Sequence, residues 1–209
     1  MRHRVLAALA LATTLAPLSG LANATTNATA TVGRPAPAFS VADTTGKPVS
    51  LADFKGRTVV LEWVNPGCPF VRKHYGAANM QATQQGAAAQ GVVWLAVNST
   101  HAGASDYLAP AAMGAWMKAQ GAAATATLMD TDGTLGRAYG ARTTPQLYVI
   151  DPKGTLVYAG AIDSKPSANP ADIAGATNYV NLALADLKDG RPVGKSASQP
   201  YGCSVKYSD

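Results

Sequence analysis

The segment Trp63-Val64-Asn65-Pro66-Gly67-Cys68-Pro69-Phe70-Val71-Arg72-Lys73-His74-Tyr75 concentrates the groups that can do chemistry. Pro69 suits the first position of a helix. The Cys68 thiol is therefore expected at a helix N-terminus, where unpaired backbone N–H groups and the positive end of the helix dipole favour a thiolate. Arg72 and Lys73 lie about one turn further on and His74 follows, a basic setting that lowers a thiol pKa below its free value of about 8.5. A thiolate so placed attacks disulfides or peroxides. The position three residues after Cys68, where a second cysteine would complete a dithiol, holds Val71, and the other cysteine of the chain is Cys203. Cys68 is thus either a reactive thiol or half of a structural staple. Glu62, the only glutamate in the chain, lies in a run that reads as a buried strand. A carboxyl there either relays protons near Cys68 with a raised pKa or reaches solvent at the strand end. A metal centre would need Cys68, Cys203, His74 and His101 to converge; without a cysteine close to Cys68 none is expected, and the pattern calls for no cofactor.

The elements that must position these groups follow from periodicity. Thr58–Val64, Val92–Val97 and Gln146–Ile150 are nearly continuous β-favouring runs, as expected of central strands buried on both faces. A helix is expected from Cys68 or Pro69 through the Ala/Gln-rich segment to Gln90, with Gly91 as its stop. Further helices are read over Asp106–Gln120 and Ala171–Leu187, and short helical turns over Leu51–Phe54 and Thr134–Tyr139. Leu128–Asp130 reads as a short strand. Asp151-Pro152-Lys153-Gly154 is a tight turn joining Gln146–Ile150 to Leu156–Ala159 as an antiparallel hairpin. The order describes an α/β fold with a central mixed sheet flanked by helices, and such folds place their sites at the C-terminal ends of strands, here at the end of Thr58–Val64. Arg191–Asp209 reads as an irregular tail that carries Cys203.

The ends of the chain address compartment. Met1-Arg2-His3-Arg4 is a basic head, Val5–Leu18 is apolar but short for a bilayer, and Ala22-Asn23-Ala24 is a small-x-small cleavage pattern. Residues 1–24 are therefore expected to be a secretory signal peptide, 25–34 a flexible linker, 35–190 one domain and 191–209 the tail. The net charge of +5 falls to +3 when the two positive charges of Arg2 and Arg4 leave. With no Lys/Arg run, neither nucleic-acid binding nor a membrane anchor after cleavage is expected. In an oxidising compartment a Cys68–Cys203 disulfide is the expected pairing of the two cysteines.

Several motifs together resemble the thioredoxin superfamily in its redoxin, peroxiredoxin-like branch. They are the entry segment Val32-Gly33-Arg34-Pro35-Ala36-Pro37-Ala38-Phe39 with Asp43, Gly46 and Leu51, the strand–Cys68–Pro69–helix unit, Thr144-Pro145 before a strand, and the Asp151–Gly154 hairpin. The tail Pro200-Tyr201-Gly202-Cys203-Ser204-Val205-Lys206-Tyr207 resembles one seen in a peroxiredoxin-like subgroup. The resemblance implies a thioredoxin-like fold, a cis Thr144–Pro145 bond facing Cys68, and a backbone edge there left free to pair with a substrate's chain. It departs from thioredoxins at Val71, and from typical peroxiredoxins at Asn65 and Pro145, where a Thr or Ser and an Arg are usual. Three readings stay open. The first is an exported thiol–disulfide oxidoreductase with Cys68 as nucleophile and Cys203 as resolving cysteine. Pro69, Arg72, Lys73, Thr144, Pro145 and Glu62 would support it, and its partners would be a protein disulfide and an external thiol reductant. The second is a thiol peroxidase taking hydroperoxides with the same cysteines, and the third a binding module in which the two form a permanent staple.

Overall fold

The computed structural model describes residues 29–208, so the expected signal peptide and the start of the expected linker lie outside the described residues. In chain order the first elements are β1 (Ser40–Ala42), β2 (Pro48–Ser50), β3 (Val59–Trp63), α1 (Pro69–Gly76), α2 (Asn79–Ala88), β4 (Val93–Asn98) and α3 (Pro110–Ala119). There follow β5 (Ala126–Met129), α4 (Thr134–Tyr139), β6 (Thr143–Thr144), β7 (Gln146–Ile150), β8 (Leu156–Gly160), α5 (Tyr179–Lys188) and β9 (Cys203–Ser204). Single 3₁₀ turns occupy Leu51–Phe54 and Pro170–Ile173.

The main sheet has the order β5-β4-β3-β7-β8. β3 runs parallel to β4 and antiparallel to β7, with Leu61 opposite Leu95 on one side and Tyr148 on the other. This is the mixed α/β sheet expected from the sequence. Every residue of β3 is buried because both faces are covered. Strand alternation sends Val60 into a core shared with α1, α2, α3 and α5, and Val59, Leu61 and Trp63 into a second core with β2 and α4. Trp63 packs on Tyr148 with ring centroids 5.1 Å apart and donates its indole N–H to Ser99 Oγ at 3.0 Å. Full burial of a large apolar side chain contributes roughly 1.5–3 kcal/mol.

Four expectations are corrected. The long helix from Pro69 breaks at Ala78, which sits in the left-handed region with φ 55°. That conformation costs a non-glycine residue about 1–2 kcal/mol. Local bonds offset it: the Tyr75 carbonyl accepts from Ala78 N–H at 3.1 Å and from the Gln81 side chain at 2.9 Å. The expected helix over Ala171–Leu187 starts only at Tyr179, where the Asn178 side chain caps the Asn181 N–H, and the helix from Asp106 starts at Pro110, whose ring fits N1. The chain ends are also less loose than expected. Ala30 already donates to the Ala138 carbonyl at 2.9 Å. The tail crosses β8, with Ala159 N–H donating to Ser196 O at 3.1 Å and Ser198 N–H to Ala159 O at 3.2 Å, then forms β9 antiparallel to β6. Gly160 makes the crossing possible, because a Cβ there would lie 2.3 Å from Ser198 Oγ.

Candidate active site

The turn between β3 and α1 is organised by Asn65. Its Oδ1 accepts from Gly67 N–H at 2.6 Å and its carbonyl from Cys68 N–H at 3.0 Å. Its Nδ2 donates to Thr100 Oγ1 at 3.1 Å and to Asp106 Oδ2 at 3.0 Å. The loop after β4 is thereby fastened to the turn. Cys68 is the N-cap of α1 with Pro69 next, and its carbonyl accepts the first helical bond from Arg72 at 3.0 Å. The Cys68 residue is only 2% exposed.

Two elements distant in sequence close over the sulfur. The Thr144–Pro145 bond is cis, and the Cys68 thiol donates to the Thr144 carbonyl at 3.0 Å. Thr144 pairs with Cys203 across β6 and β9. Both cysteines are free thiols, and the β6–β9 pairing brings Cys203 to the same Thr144 that accepts from the Cys68 thiol. The backbone edge expected to be free is thus covered by the chain's own tail. Gly202 permits the approach: its φ is +131°, and a Cβ on it would lie 2.0 Å from the Thr144 oxygen.

The two thiols are unequal. Burial, the largest single influence, would raise the Cys68 pKa. Hydrogen bonds offered by the Cys203 thiol, the Thr144 hydroxyl and the backbone N–H groups of Val71 and Cys203 together outweigh it, and the thiol is held below its usual value. The Thr144 hydroxyl is buried and otherwise without a partner among the described residues, so it is available to a thiolate. Cys203 is pushed up to about 12, first by burial and then by its hydrogen bond to Cys68 and the charge there. Of the coupled pair, Cys68 ionises and Cys203 keeps its proton.

The basic residues expected to activate Cys68 are engaged elsewhere. Arg72 is exposed and donates Nε to the Pro66 carbonyl at 2.8 Å, which stiffens the turn. The Lys73 side chain is buried; its Nζ donates to the Lys165 carbonyl at 3.2 Å and lies 3.9 Å from Asp163 Oδ2. His74 is buried as well, which lowers its pKa to about 4 and leaves it neutral at neutral pH. His101 caps its own loop by accepting from Gly103 N–H at 3.2 Å. Among the described residues no three His, Cys, Asp or Glu side chains converge to hold a metal.

A family model described as the AhpC/TSA family matches residues 32–159, from the entry segment to β8. The chain belongs to the AhpC/TSA family. Membership of this redoxin branch of the thioredoxin superfamily makes it a thiol-dependent oxidoreductase. A hypothetical protein of Sinorhizobium meliloti 1021 is similar at 28% identity, with TM-score 0.75 over 85% of this chain and 95% of that one. An uncharacterized conserved protein of Geobacillus kaustophilus is similar at 27% identity, with TM-score 0.75 over 85% of this chain and 93% of that one. A candidate protein disulfide isomerase of Bacteroides thetaiotaomicron, 18% identical, shares the thioredoxin-like fold with TM-score 0.50 over 62% of this chain and 78% of that one. No curated protein matches the chain.

In this AhpC/TSA member Glu62 points into the core and not to solvent. Its Oε1 accepts from Tyr75 OH at 2.9 Å, and its Oε2 accepts from Gln84 Nε2 at 3.0 Å and Trp94 Nε1 at 2.7 Å. The break at Ala78 is what lets Tyr75 of α1 and Gln84 of α2 reach one carboxyl. Burial raises its pKa from 4.5 to about 7 against the pull of those three donors. Between these values the folded chain binds more protons than the unfolded one. The contribution of Glu62 to stability therefore falls as pH rises from about 4.5 to about 7, by about 3 kcal/mol, and is flat outside that window. Glu62→Gln mimics the protonated carboxyl and is expected to remove this slope. Urea unfolding of both proteins at pH 4.5, 6 and 8 checks it, since the opposite-sign contribution of His74 cancels in the difference.

Sequence reasoning missed Asp106, Asp163 and Tyr201. Asp106 had no local signal; Gly67, where a Cβ would lie 3.0 Å from the Asp106 side chain, leaves room for it only in the folded chain. Tyr201 was within the tail motif. Asp163 follows β8 with no local pattern to mark it.

Proposed function

We propose that the chain is an exported thiol–disulfide oxidoreductase in which Cys68 attacks and Cys203 resolves. The observation that carries this reading is the meeting of two unequal thiols at Thr144, one through its carbonyl and one through the β6–β9 pair. The Cys68 thiolate attacks one sulfur of a substrate disulfide; that S–S bond breaks and the substrate's other sulfur leaves as a thiolate. Cys203 then loses its proton and attacks the Cys68 sulfur, releasing the substrate's second thiol and leaving a Cys68–Cys203 disulfide. Two electrons have passed to the substrate, and an external thiol reductant restores the pair. In this reading Pro69 and Thr144–Pro145 set the geometry, Arg72 stiffens the turn, and Glu62, in the strand leading to Cys68, serves as a buried proton acceptor. The same reading divides the chain into a domain of 35–190 and a tail of 191–209.

Disulfide exchange is favoured over peroxidase chemistry by the donors at Cys68. They are a thiol, a hydroxyl and backbone N–H groups, and its neighbour across the site is an extended strand. Mixing the reduced protein with hydrogen peroxide and, separately, with glutathione disulfide tests the choice. The larger second-order rate constant for Cys68 oxidation is expected with the disulfide. A larger one with peroxide would assign a thiol peroxidase, and inertness to both a structural staple. Export is read from residues 1–24; a mature N-terminus at Thr25, by intact mass of protein from periplasm or medium, is the expected result, and Met1 would overturn it.

A further inference from the structure

α1 carries, besides Cys68 at its N-cap, three side chains that touch the tail. Phe70 stacks against Tyr201 with centroids 5.8 Å apart, the Lys73 ammonium lies 5.8 Å from the same ring, and His74 Nε2 is 3.3 Å from the Tyr201 hydroxyl. The donors form one ordered chain. Asn79 Nδ2 is 2.8 Å from His74 Nδ1, which fixes the imidazole proton on Nε2; Nε2–H then faces the Tyr201 oxygen, and Tyr201 O–H donates to Asp163 Oδ1 at 2.5 Å. Lys165 N–H donates to the same Oδ1 at 2.9 Å, while Asp163 Oδ2 has no hydrogen bond among the described residues and lies 3.9 Å from both Lys73 Nζ and His74 Nε2. The Lys73, His74 and Asp163 side chains are at most 2% exposed. A buried pair of this kind contributes little net stability.

We infer that His74, Asp163 and Lys73 form a latch for Tyr201, which positions Cys203 over Cys68 and keeps Cys68 covered until the tail lifts. Tyr201 is two residues from Cys203, and its dock lies on the helix that begins beside the nucleophile. The latch therefore fixes the two sulfurs relative to each other through one rigid element. These are positioning residues. They touch neither substrate nor sulfur, and their effect on the two half-steps must be opposite in sign. Releasing the latch uncovers Cys68, so the first attack speeds up, and it removes Cys203 from range, so resolution slows.

The inference rests on the proposed disulfide exchange, and its test separates the two. The reduced full chain is mixed with dithiobis-nitrobenzoate under single-turnover conditions. Attack by Cys68 releases one nitrothiobenzoate, and attack by Cys203 on the resulting mixed disulfide releases the second, so two phases report two steps. Tyr201→Phe keeps the ring and its stacking and removes only the hydroxyl. The worth of one hydrogen bond to a charged acceptor gives an expected slowing of the second phase by roughly tenfold to a hundredfold. The first phase is expected to become faster. Asp163→Asn should move both phases in the same directions, and Tyr201→Ala further than Tyr201→Phe. Hydrogen exchange of the 201–205 amides in the reduced proteins reads docking without any chemistry and is expected to be at least about tenfold faster in each variant. Unchanged phases with unchanged exchange, or a parallel fall in both phases, would overturn the latch. A wild-type chain that releases no nitrothiobenzoate would overturn the disulfide-exchange reading instead, and the exchange data would still decide whether Tyr201 is latched.

Discussion

A chain carrying Cys203→Ser is expected to release one equivalent of thiol from a disulfide substrate and then stall with that substrate bound to Cys68. Serine preserves the size of the side chain at β9 but supplies no sulfur to attack the mixed disulfide. Resolution then falls to whatever thiol is free in solution. A tethered partner acts at an effective concentration in the millimolar range, against micromolar external thiol, so steady-state turnover should drop by about a thousandfold. Intact mass under non-reducing conditions would show the adduct, and Cys68→Ser should show neither adduct nor turnover. If the two cysteines were only a staple, Cys203→Ser would instead leave Cys68 without an adduct and lower stability by roughly 2–5 kcal/mol.

The second large effect is expected at a residue with no chemistry of its own. Gly202→Ala places a Cβ 2.0 Å from the Thr144 oxygen and 2.7 Å from its carbonyl carbon, in a backbone conformation with φ +131°. Neither neighbour is a flexible side-chain end, so the pairing of Cys203 with Thr144 cannot survive the added atom. Resolution is expected to fall by roughly a hundredfold or more, the loss of the proximity that a docked strand provides. Gly194→Ala in the same tail is the matched control, since the nearest atom to its new Cβ is Asp186 Oδ2 at 3.7 Å. Rapid-mixing measurement of the second thiol release separates the pair; equal rates in the two variants would show that Gly202 is not needed for docking.

The sequence was informative where local pattern and tertiary role agree. The runs around Leu61, Leu95 and Tyr148 could be read as strands because central strands are buried on both faces and need no alternation. Pro69 marked the helix start, and with it the N-cap place of Cys68, because a proline there loses no hydrogen bond. Legibility ended where distant residues decide. The Ala/Gln-rich stretch carries no strong stop at Ala78; the break follows from the need of Glu62 for both Tyr75 and Gln84. Lys73 and His74 read as a basic face for Cys68, yet both are buried: Asp163, about ninety residues later, supplies the countercharge for Lys73, and His74 is neutral. Strand β9 is two residues long, too short for any propensity, and exists only because β6 is there to pair with it.

The crossing of the tail over β8 sets how far Cys203 can travel. Ser198 is seated against Gly160: its hydroxyl accepts from Ala161 N–H at 2.9 Å and lies 2.7 Å from Tyr158 OH, while its N–H reaches Ala159 O. When the latch opens, Cys203 stays tied on both sides, upstream at Ser198 and downstream where Val205 N–H donates to Arg142 O at 2.9 Å and Tyr207 OH to Ala141 O at 2.7 Å. The arm is therefore leashed. A folded partner can sit against Cys68 while Cys203 waits within one arm's length, and no neighbouring molecule's Cys203 competes on equal terms. Cutting the leash at Ser198 would turn a reaction that ignores protein concentration into one that depends on it.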